Sequence, residues 1–264
     1  MGSKVAIIGY GYVGKAMYNF FKDHYEVRVF DPNKEDSHTK EEINECDLGV
    51  ICVPTPMRDD SSCDASIVED VASWLKTPLV ILKSTVSVGT TDELASKHGL
   101  RIVFAPEYCG ESTYWSPYSF HTEVKDTPFF TFGGNSKDCS EAIDYYLPVT
   151  GPMKAYHQTN AKTAEMAKYM ENCFYATKIA FCNEIYSICE GMGVDWNAAR
   201  EAWLLDPRIH PMHTAVFKNN RGFGGKCLPK DLNAMISFAE QGGVNPILLK
   251  SVWQSNKEIR DNEL

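Results

Sequence analysis

Three short stretches of this 264-residue sequence carry residues suited to catalysis or ligand binding. The first, Gly9-Tyr10-Gly11-Tyr12-Val13-Gly14, follows the apolar run Val5-Ala6-Ile7-Ile8 and opens a stretch, residues 15–22, that reads as helix. In a strand-turn-helix the first glycine makes the turn, the second lets backbone approach a pyrophosphate, and the third packs helix on strand. The helix N-terminus supplies the charge complement. Asp31 ends the next apolar run, 20 residues beyond Gly11. A carboxylate there accepts hydrogen bonds from ribose hydroxyls and repels a 2′-phosphate, which implies NAD rather than NADP. The second stretch holds Lys168 and Asn172, four apart and so on one helix face. By spacing alone this pair reads as a solvated lysine and a surface asparagine. The third is Gly222-Phe223-Gly224-Gly225-Lys226-Cys227-Leu228-Pro229-Lys230-Asp231. Pro229 suits a first helical position, so Cys227 precedes a helix N-terminus between Lys226 and Lys230. Dipole and cations favour its thiolate and raise its nucleophilicity, and Asp231 lies four residues on, within reach of the same place.

Other signals take plainer readings. Glu107 and Glu111 have the spacing of a glycosidase acid pair, but a dinucleotide site argues against sugar hydrolysis. His210-Pro211-Met212-His213 offers two imidazoles with no third ligand in view, so no metal is expected. Nine cysteines without a CxxC pair, in a chain too large to need a disulfide framework, imply a reducing cytosol. Eight of them, Cys173, Cys182 and Cys189 included, read as small buried hydrophobes.

The elements that position these stretches follow from hydrophobic patterning. Short apolar runs at 5–8, 27–30, 48–53, 79–82, 102–104 and 129–132 alternate with amphipathic stretches. That is the βαβ rhythm of a Rossmann-type, doubly wound parallel sheet in an α/β protein. From Asn160 the rhythm stops, and Met166, Met170, Cys173, Phe174, Phe181, Ile185, Ile188 and Met192 recur at helical spacing. One long helix is expected over 160–193, with Asn160 as N-cap, Gly191 or Gly193 as the stop, and that stripe in the core. Further helices are expected at 196–204, 229–241 and 246–262. The chain thus divides into residues 1–159, a dinucleotide-binding domain, and 160–264, an all-helical domain. With 44% hydrophobic and 23% charged residues it is neither disordered nor fibrous. The net charge of −9 argues against nucleic-acid and anionic-membrane partners, so an anionic ligand must be met locally. No apolar run approaches bilayer length, and Met1-Gly2-Ser3 is neither a secretory nor an acylation signal.

Taken in order, these motifs resemble the UDP-glucose/GDP-mannose dehydrogenase family, most closely its UDP-glucose 6-dehydrogenases. The match runs through Gly9 to Gly14, Val53-Pro54-Thr55-Pro56, Lys83-Ser84-Thr85-Val86 with Gly89-Thr90-Thr91, and Pro106-Glu107 with Glu111. It continues through Ala164-Glu165, Lys168, Asn172 and Asn183-Glu184, then Asp206-Pro207-Arg208-Ile209, then Gly222 to Asp231. The resemblance implies an NAD-binding Rossmann domain, a long-helix dimerisation domain and a third, nucleotide-binding domain. It implies a double oxidation of a sugar C6 alcohol to the carboxylate with two NAD, in a cytoplasmic homodimer. Lys168 and Asn172 resemble the pair on the C6 oxygen, Cys227 the nucleophile that forms a thiohemiacetal and then a thioester. Asp231 and Thr85 match water-holding residues, and Glu107 the acid/base of thioester hydrolysis. Val53-Pro54-Thr55, Ser84-Thr85-Val86, Glu111 and Lys230 fall at the cofactor. The substrate contacts implied are Glu107, Glu111, Lys168, Asn172, Arg208 reaching into the partner subunit's sugar site, Lys218, and Gly222-Phe223-Gly224.

The sequence also departs from the family pattern. It ends at Leu264, where the third domain would begin, so a shortened form with a more open cleft is expected. Residues 112–132 are rich in aromatics (Tyr114, Trp115, Tyr118, Phe120) and lack the usual Pro-x-Arg; His210 replaces a glycine, and bulky Arg221 precedes Gly222. Two other readings compete. One is a single-step dehydrogenase of the β-hydroxyacid type, which shares the Rossmann domain and the Lys-x-x-x-Asn pair but leaves Cys227 without a purpose. The other is an NAD-binding subunit inactive without a partner chain.

Overall fold

The computed structural model describes residues 2–108 and 123–261. Glu111, Cys109 and the aromatics Tyr114, Trp115, Tyr118 and Phe120 lie outside the described residues. Seven strands form one sheet: β1 (Lys4–Ile8), β2 (Glu26–Phe30), β3 (Leu48–Ile51), β4 (Leu79–Leu82), β5 (Ile102–Phe104), β6 (Phe129–Gly133) and β7 (Ala155–Thr159). Their order is β2-β1-β3-β4-β5-β6-β7. Nine α-helices are described: α1 (Tyr12–Phe21), α2 (Lys40–Asn44), α3 (Ser66–Trp74), α4 (Thr90–His98), α5 (Ser136–Thr150), α6 (Ala161–Met192), α7 (Trp196–Trp203), α8 (Leu228–Gln241) and α9 (Ile247–Asp261). None is long and apolar enough to cross a membrane. The expected α/β fold with a helical second part is present. Two compact units make up the chain: residues 2–56, 63–108 and 123–168, and residues 57–62 and 169–261.

The sheet is covered on both faces because its inner strands β1, β3, β4 and β5 are buried at nearly every position. Val5 and Ile7 face a cluster with Met17, Phe20 and Phe21 of α1 and Ala142, Ile143 and Tyr146 of α5. Ala6 and Ile8, one residue out of phase, face Val68, Val71 and Ala72 of α3 and Leu94 of α4. The chain reverses its direction of travel across the sheet between β1 and β3, since β2 lies on one side of β1 and β3 on the other. A crevice at the carboxyl ends of these strands is where open α/β sheets bind ligands.

Two features differ from the sequence expectation. The sheet is not wholly parallel: β6 runs antiparallel to β5, joined at the single pair Phe104↔Gly133. β7 was not expected as a strand. Its sequence Ala-Tyr-His-Gln-Thr is polar because it pairs with β6 alone and forms a sheet edge, so no apolar run announces it.

The long helix begins and ends as expected: Asn160 Oδ1 accepts from Thr163 N at 2.8 Å, and Gly193, φ +69°, follows Met192. Val194 N then donates to Cys189 O, closing the helix end. Its apolar stripe is the larger correction. Met170, Phe174, Phe181, Ile188 and Met192 are between 47% and 74% exposed, whereas the buried face carries Ala176, Ala180, Cys182, Tyr186 and Cys189. Small residues face the core because neighbouring segments pack close, with Trp196 and Val216 filling the space around Tyr186. Large apolar residues are left on the other face.

Candidate active site

In the first unit the glycine turn has the sterics of a phosphate cradle. Gly9 has φ +90°, and a Cβ there would lie 2.8 Å from Cys52 O; one on Gly14 would lie 1.9 Å from Gly9 O. Around Gly11, by contrast, nothing lies within 4 Å of a Cβ position. The three glycines therefore divide as the motif requires: turn, open approach, close helix packing. Gly11 is the N-cap of α1 and makes no side-chain cap, so backbone N–H groups at the start of α1 can meet an anion. Tyr12 begins that helix exposed and Val13 is half-buried. Asp31 Oδ2 accepts from Tyr10 N at 2.6 Å and Oδ1 from Asn33 N at 2.9 Å. Each carboxylate oxygen retains a lone pair for a further donor such as a ribose hydroxyl. These residues fit a dinucleotide.

The loops after β3 and β4 are stitched together beside this turn. Thr55 Oγ1 donates to Thr85 O at 2.7 Å and Ser84 Oγ to Val53 O at 2.6 Å. Val53, Thr55, Ser84 and Val86 are buried, while Pro54 is exposed and Thr85 half-buried. The same unit holds two carboxylates that sequence alone did not pair. Glu165 on α6 accepts from Gly89 N, Thr91 N and Thr91 Oγ1 at 2.6–2.9 Å, capping α4. Burial raises its carboxyl above the usual range, and those hydrogen bonds work against the rise. Glu107 Oε2 lies 3.2 Å from Lys83 Nζ, with both side chains buried. The next residue, Tyr108, faces a different lysine: Lys168 Nζ sits 4.7 Å from its ring centroid.

The second unit carries the remaining candidates. Cys227 is the N-cap of α8, and Pro229 is its second residue rather than its first. Of the eight described cysteines, Cys227 alone is exposed and the other seven are buried. Asp231 N donates to Cys227 O, so the carboxylate stands one turn into α8. Asp231 is buried and takes Asn172 Nδ2 and Lys230 Nζ, each at 2.5 Å. Lys230, expected to favour the Cys227 thiolate, thus shares its charge with Asp231.

The Gly222–Gly224 loop is fixed by side chains. Phe223 N donates to Asn256 Oδ1 at 2.7 Å and Asn256 Nδ2 to Phe223 O at 3.0 Å, while Gly222 N donates to Asn183 Oδ1. Arg221 donates to Asn183 O and Ser187 Oγ and lies over the Tyr186 ring, so its bulk serves as a strap. Arg208 is exposed and bidentate to Asp206, and Lys218 is exposed.

Residues 33–124 match the NAD binding domain of the UDP-glucose/GDP-mannose dehydrogenase family, and residues 162–258 match its central domain. The chain belongs to this family. UDP-glucose 6-dehydrogenase YwqF of Bacillus subtilis is 32% identical over 238 residues, covering 85% of this chain and 51% of that protein. The chain spans about half the length of the curated relatives it matches. A UDP-glucose dehydrogenase structure from Pyrobaculum islandicum superposes with a TM-score of 0.84 at 27% identity, over 98% of this chain and 68% of that one. A 3-hydroxyisobutyrate dehydrogenase from Mycobacterium tuberculosis gives a TM-score of 0.71 at 20% identity, over 99% and 95% of the two chains. That second likeness is one of fold. The cofactor of the family's matched domain is NAD, as the glycine turn and Asp31 imply.

Proposed function

We propose that the chain carries out an NAD-dependent, two-step oxidation of the C6 alcohol of a nucleotide sugar, of the UDP-glucose to UDP-glucuronate type, through covalent intermediates on Cys227. NAD, when bound, would supply the hydride acceptor for each oxidation. Lys168 and Asn172, one turn apart on α6, hold the C6 oxygen, and Lys168 takes and returns its proton. The Cys227 thiol adds to the aldehyde carbon to give a thiohemiacetal, whose oxidation leaves a thioester. Water then cleaves the carbon–sulfur bond, releasing the acid and restoring the thiol. Asp231 and Thr85 hold that water and Glu107 handles its proton; Arg208, Lys218, Glu111 and the Gly222–Gly224 loop contact the substrate. The observation that carries this reading is the exposure of Cys227 at the start of α8, one turn before a buried Asp231 engaged by Asn172.

The exposed stripe on α6 supports a homodimer formed through that helix, and the seven buried free thiols suit a reducing cytoplasm. A one-step oxidation of the β-hydroxyacid type gives Cys227 no task. The test is to count NADH per product with UDP- and GDP-sugars. Two NADH per acid are expected, with no acid from Cys227→Ala. One NADH per turnover and an unaffected alanine variant overturn the reading. NAD binding with turnover only after a second chain is added assigns the protein as a subunit instead.

A further inference from the structure

Lys83 has no role in the chemistry above, yet it is almost fully enclosed within the first unit. It follows β4 directly, and its side chain is 2% exposed against 8% for Glu107. Its ammonium has three protons to place. It lies 3.2 Å from Glu107 Oε2 and donates to Pro106 O at 3.2 Å. Among the described residues, Tyr146 of α5 and Cys52, which follows β3, also face it. Burial by itself favours the neutral amine, but the Glu107 carboxylate outweighs it and holds Lys83 above its ordinary value. Burial pushes the Tyr146 hydroxyl and the Cys52 thiol each up to about 12. Both are neutral at physiological pH, so Glu107 is the anion that balances Lys83.

A buried ion pair is a weak source of stability, because desolvation offsets much of the attraction and an apolar pair of similar volume often serves as well. The surroundings here are apolar: Cys52 and Tyr146 belong to the core cluster on that face of the sheet, with Ile81, Val103 and Ala105. A charged pair in such a place needs a reason other than packing. Glu107 begins the segment that leaves β5, and its neighbour Tyr108 lies under Lys168. Fixing Glu107 therefore also fixes where Tyr108 meets the second lysine.

We propose that Lys83 is a positioning residue: it holds Glu107 as a carboxylate at the exit of β5, so that Glu107 works as a base toward the water that cleaves the Cys227 thioester. The catalytic half of this statement rests on the two-step reading; the pairing does not.

The experiment compares the full chain with Lys83→Met, Lys83→Arg, Glu107→Gln and the double variant Lys83→Met/Glu107→Gln. With its counter-ion gone, buried Glu107 binds its proton more tightly. The acid limb of acid formation in Lys83→Met should then move up by about one pH unit or more, which slows the reaction roughly tenfold on that limb. Lys83→Arg should keep the wild-type limb, and the KM for NAD should not change. In denaturant, Lys83→Met/Glu107→Gln should be more stable than Lys83→Met, because the second change removes the stranded charge. If Lys83→Met does not fold, folding of the double variant supports the proposal and its failure to fold overturns it. An unmoved acid limb, or a double variant no more stable than Lys83→Met, also overturns it. If the unaltered chain forms no acid, the two-step reading falls and the stability comparison alone decides the pairing.

Discussion

Two glycine-rich stretches in this molecule each run into a helix whose N-cap makes no side-chain cap: Gly9 to Gly14 into α1, and Gly222 to Cys227 into α8. They are held in different ways. The first is set by backbone sterics among residues five apart, Gly14 against the carbonyl of Gly9. The second is set by side chains 33 to 39 residues away, Asn256 on Phe223 and Asn183 on Gly222. A diphosphate offers many lone pairs to any row of N–H groups, so a cradle of local backbone suffices. On the proposed two-step reading Cys227 must meet one carbon, and the loop before it is pinned from distant elements. The comparison predicts that local changes break the first stretch and remote changes break the second.

The largest effect should come from Gly14→Ala. The added Cβ would lie 1.9 Å from a backbone oxygen that has no rotamer to escape into. Relieving it means moving α1 off β1, with a loss of about 3 kcal/mol in denaturant unfolding and loss of NAD binding by calorimetry. Retention of both would show that the turn is not close-packed.

Next is Asn256→Ala, which strands the N–H and C=O of buried Phe223. A loss of about 2 to 3 kcal/mol is expected from two unsatisfied groups. Acid formation should fall while NAD affinity holds, since Asn256 and the glycine turn belong to different units. Equal damage to both functions would contradict the division drawn here.

These two positions also mark what could be read in the sequence. The glycine turn, Asp31 and both ends of α6 were legible because each is a local rule, enforced within a few residues. Asn256 was visible only as one polar residue on an amphipathic helix, because its partner is a loop backbone that no pattern points to. The α6 stripe misled for a related reason. Periodicity reveals that a helix has an apolar face but not which neighbour covers it, and here Ala176, Ala180 and Cys182 face the core while Phe174 and Phe181 do not. Lys83 and Glu107 are separated by a whole α4 crossover, so their pairing appears only once β4 and β5 are adjacent.

The segment that leads into the second stretch should answer to pH where the first should not. His213 stacks on Tyr175 at 4.2 Å with φ +64°. Burial, with smaller help from Lys178 and His210, lowers its pKa from 6.5 to about 4. Its stabilising effect is present above pH 6.5 and is lost as pH falls toward 4, because only the unfolded chain gains a proton in that window. The drop should be about 2 kcal/mol after discounting partial exposure. His213→Asn, which tolerates the left-handed backbone, should flatten that part of the stability profile. A variant with the wild-type slope between pH 6.5 and 4 would assign the acid sensitivity to carboxylates instead.

The smallest effect on the fold should come from Gly11→Ala, and it separates the two roles of glycine within one turn. No atom lies within 4 Å of the new Cβ, and Gly11 sits at φ −72°, which any residue adopts. Unfolding should move by no more than about 0.5 kcal/mol, the range of surface substitutions. The methyl group would nonetheless occupy the approach that a pyrophosphate needs to reach the N–H groups of α1, so NAD affinity should fall at unchanged stability. Gly14→Ala damages the protein before any ligand arrives, whereas Gly11→Ala damages only the encounter. If Gly11→Ala binds NAD as tightly as the unaltered chain, the open space at Gly11 is not the pyrophosphate approach, and the cradle must lie elsewhere along β1 and β3.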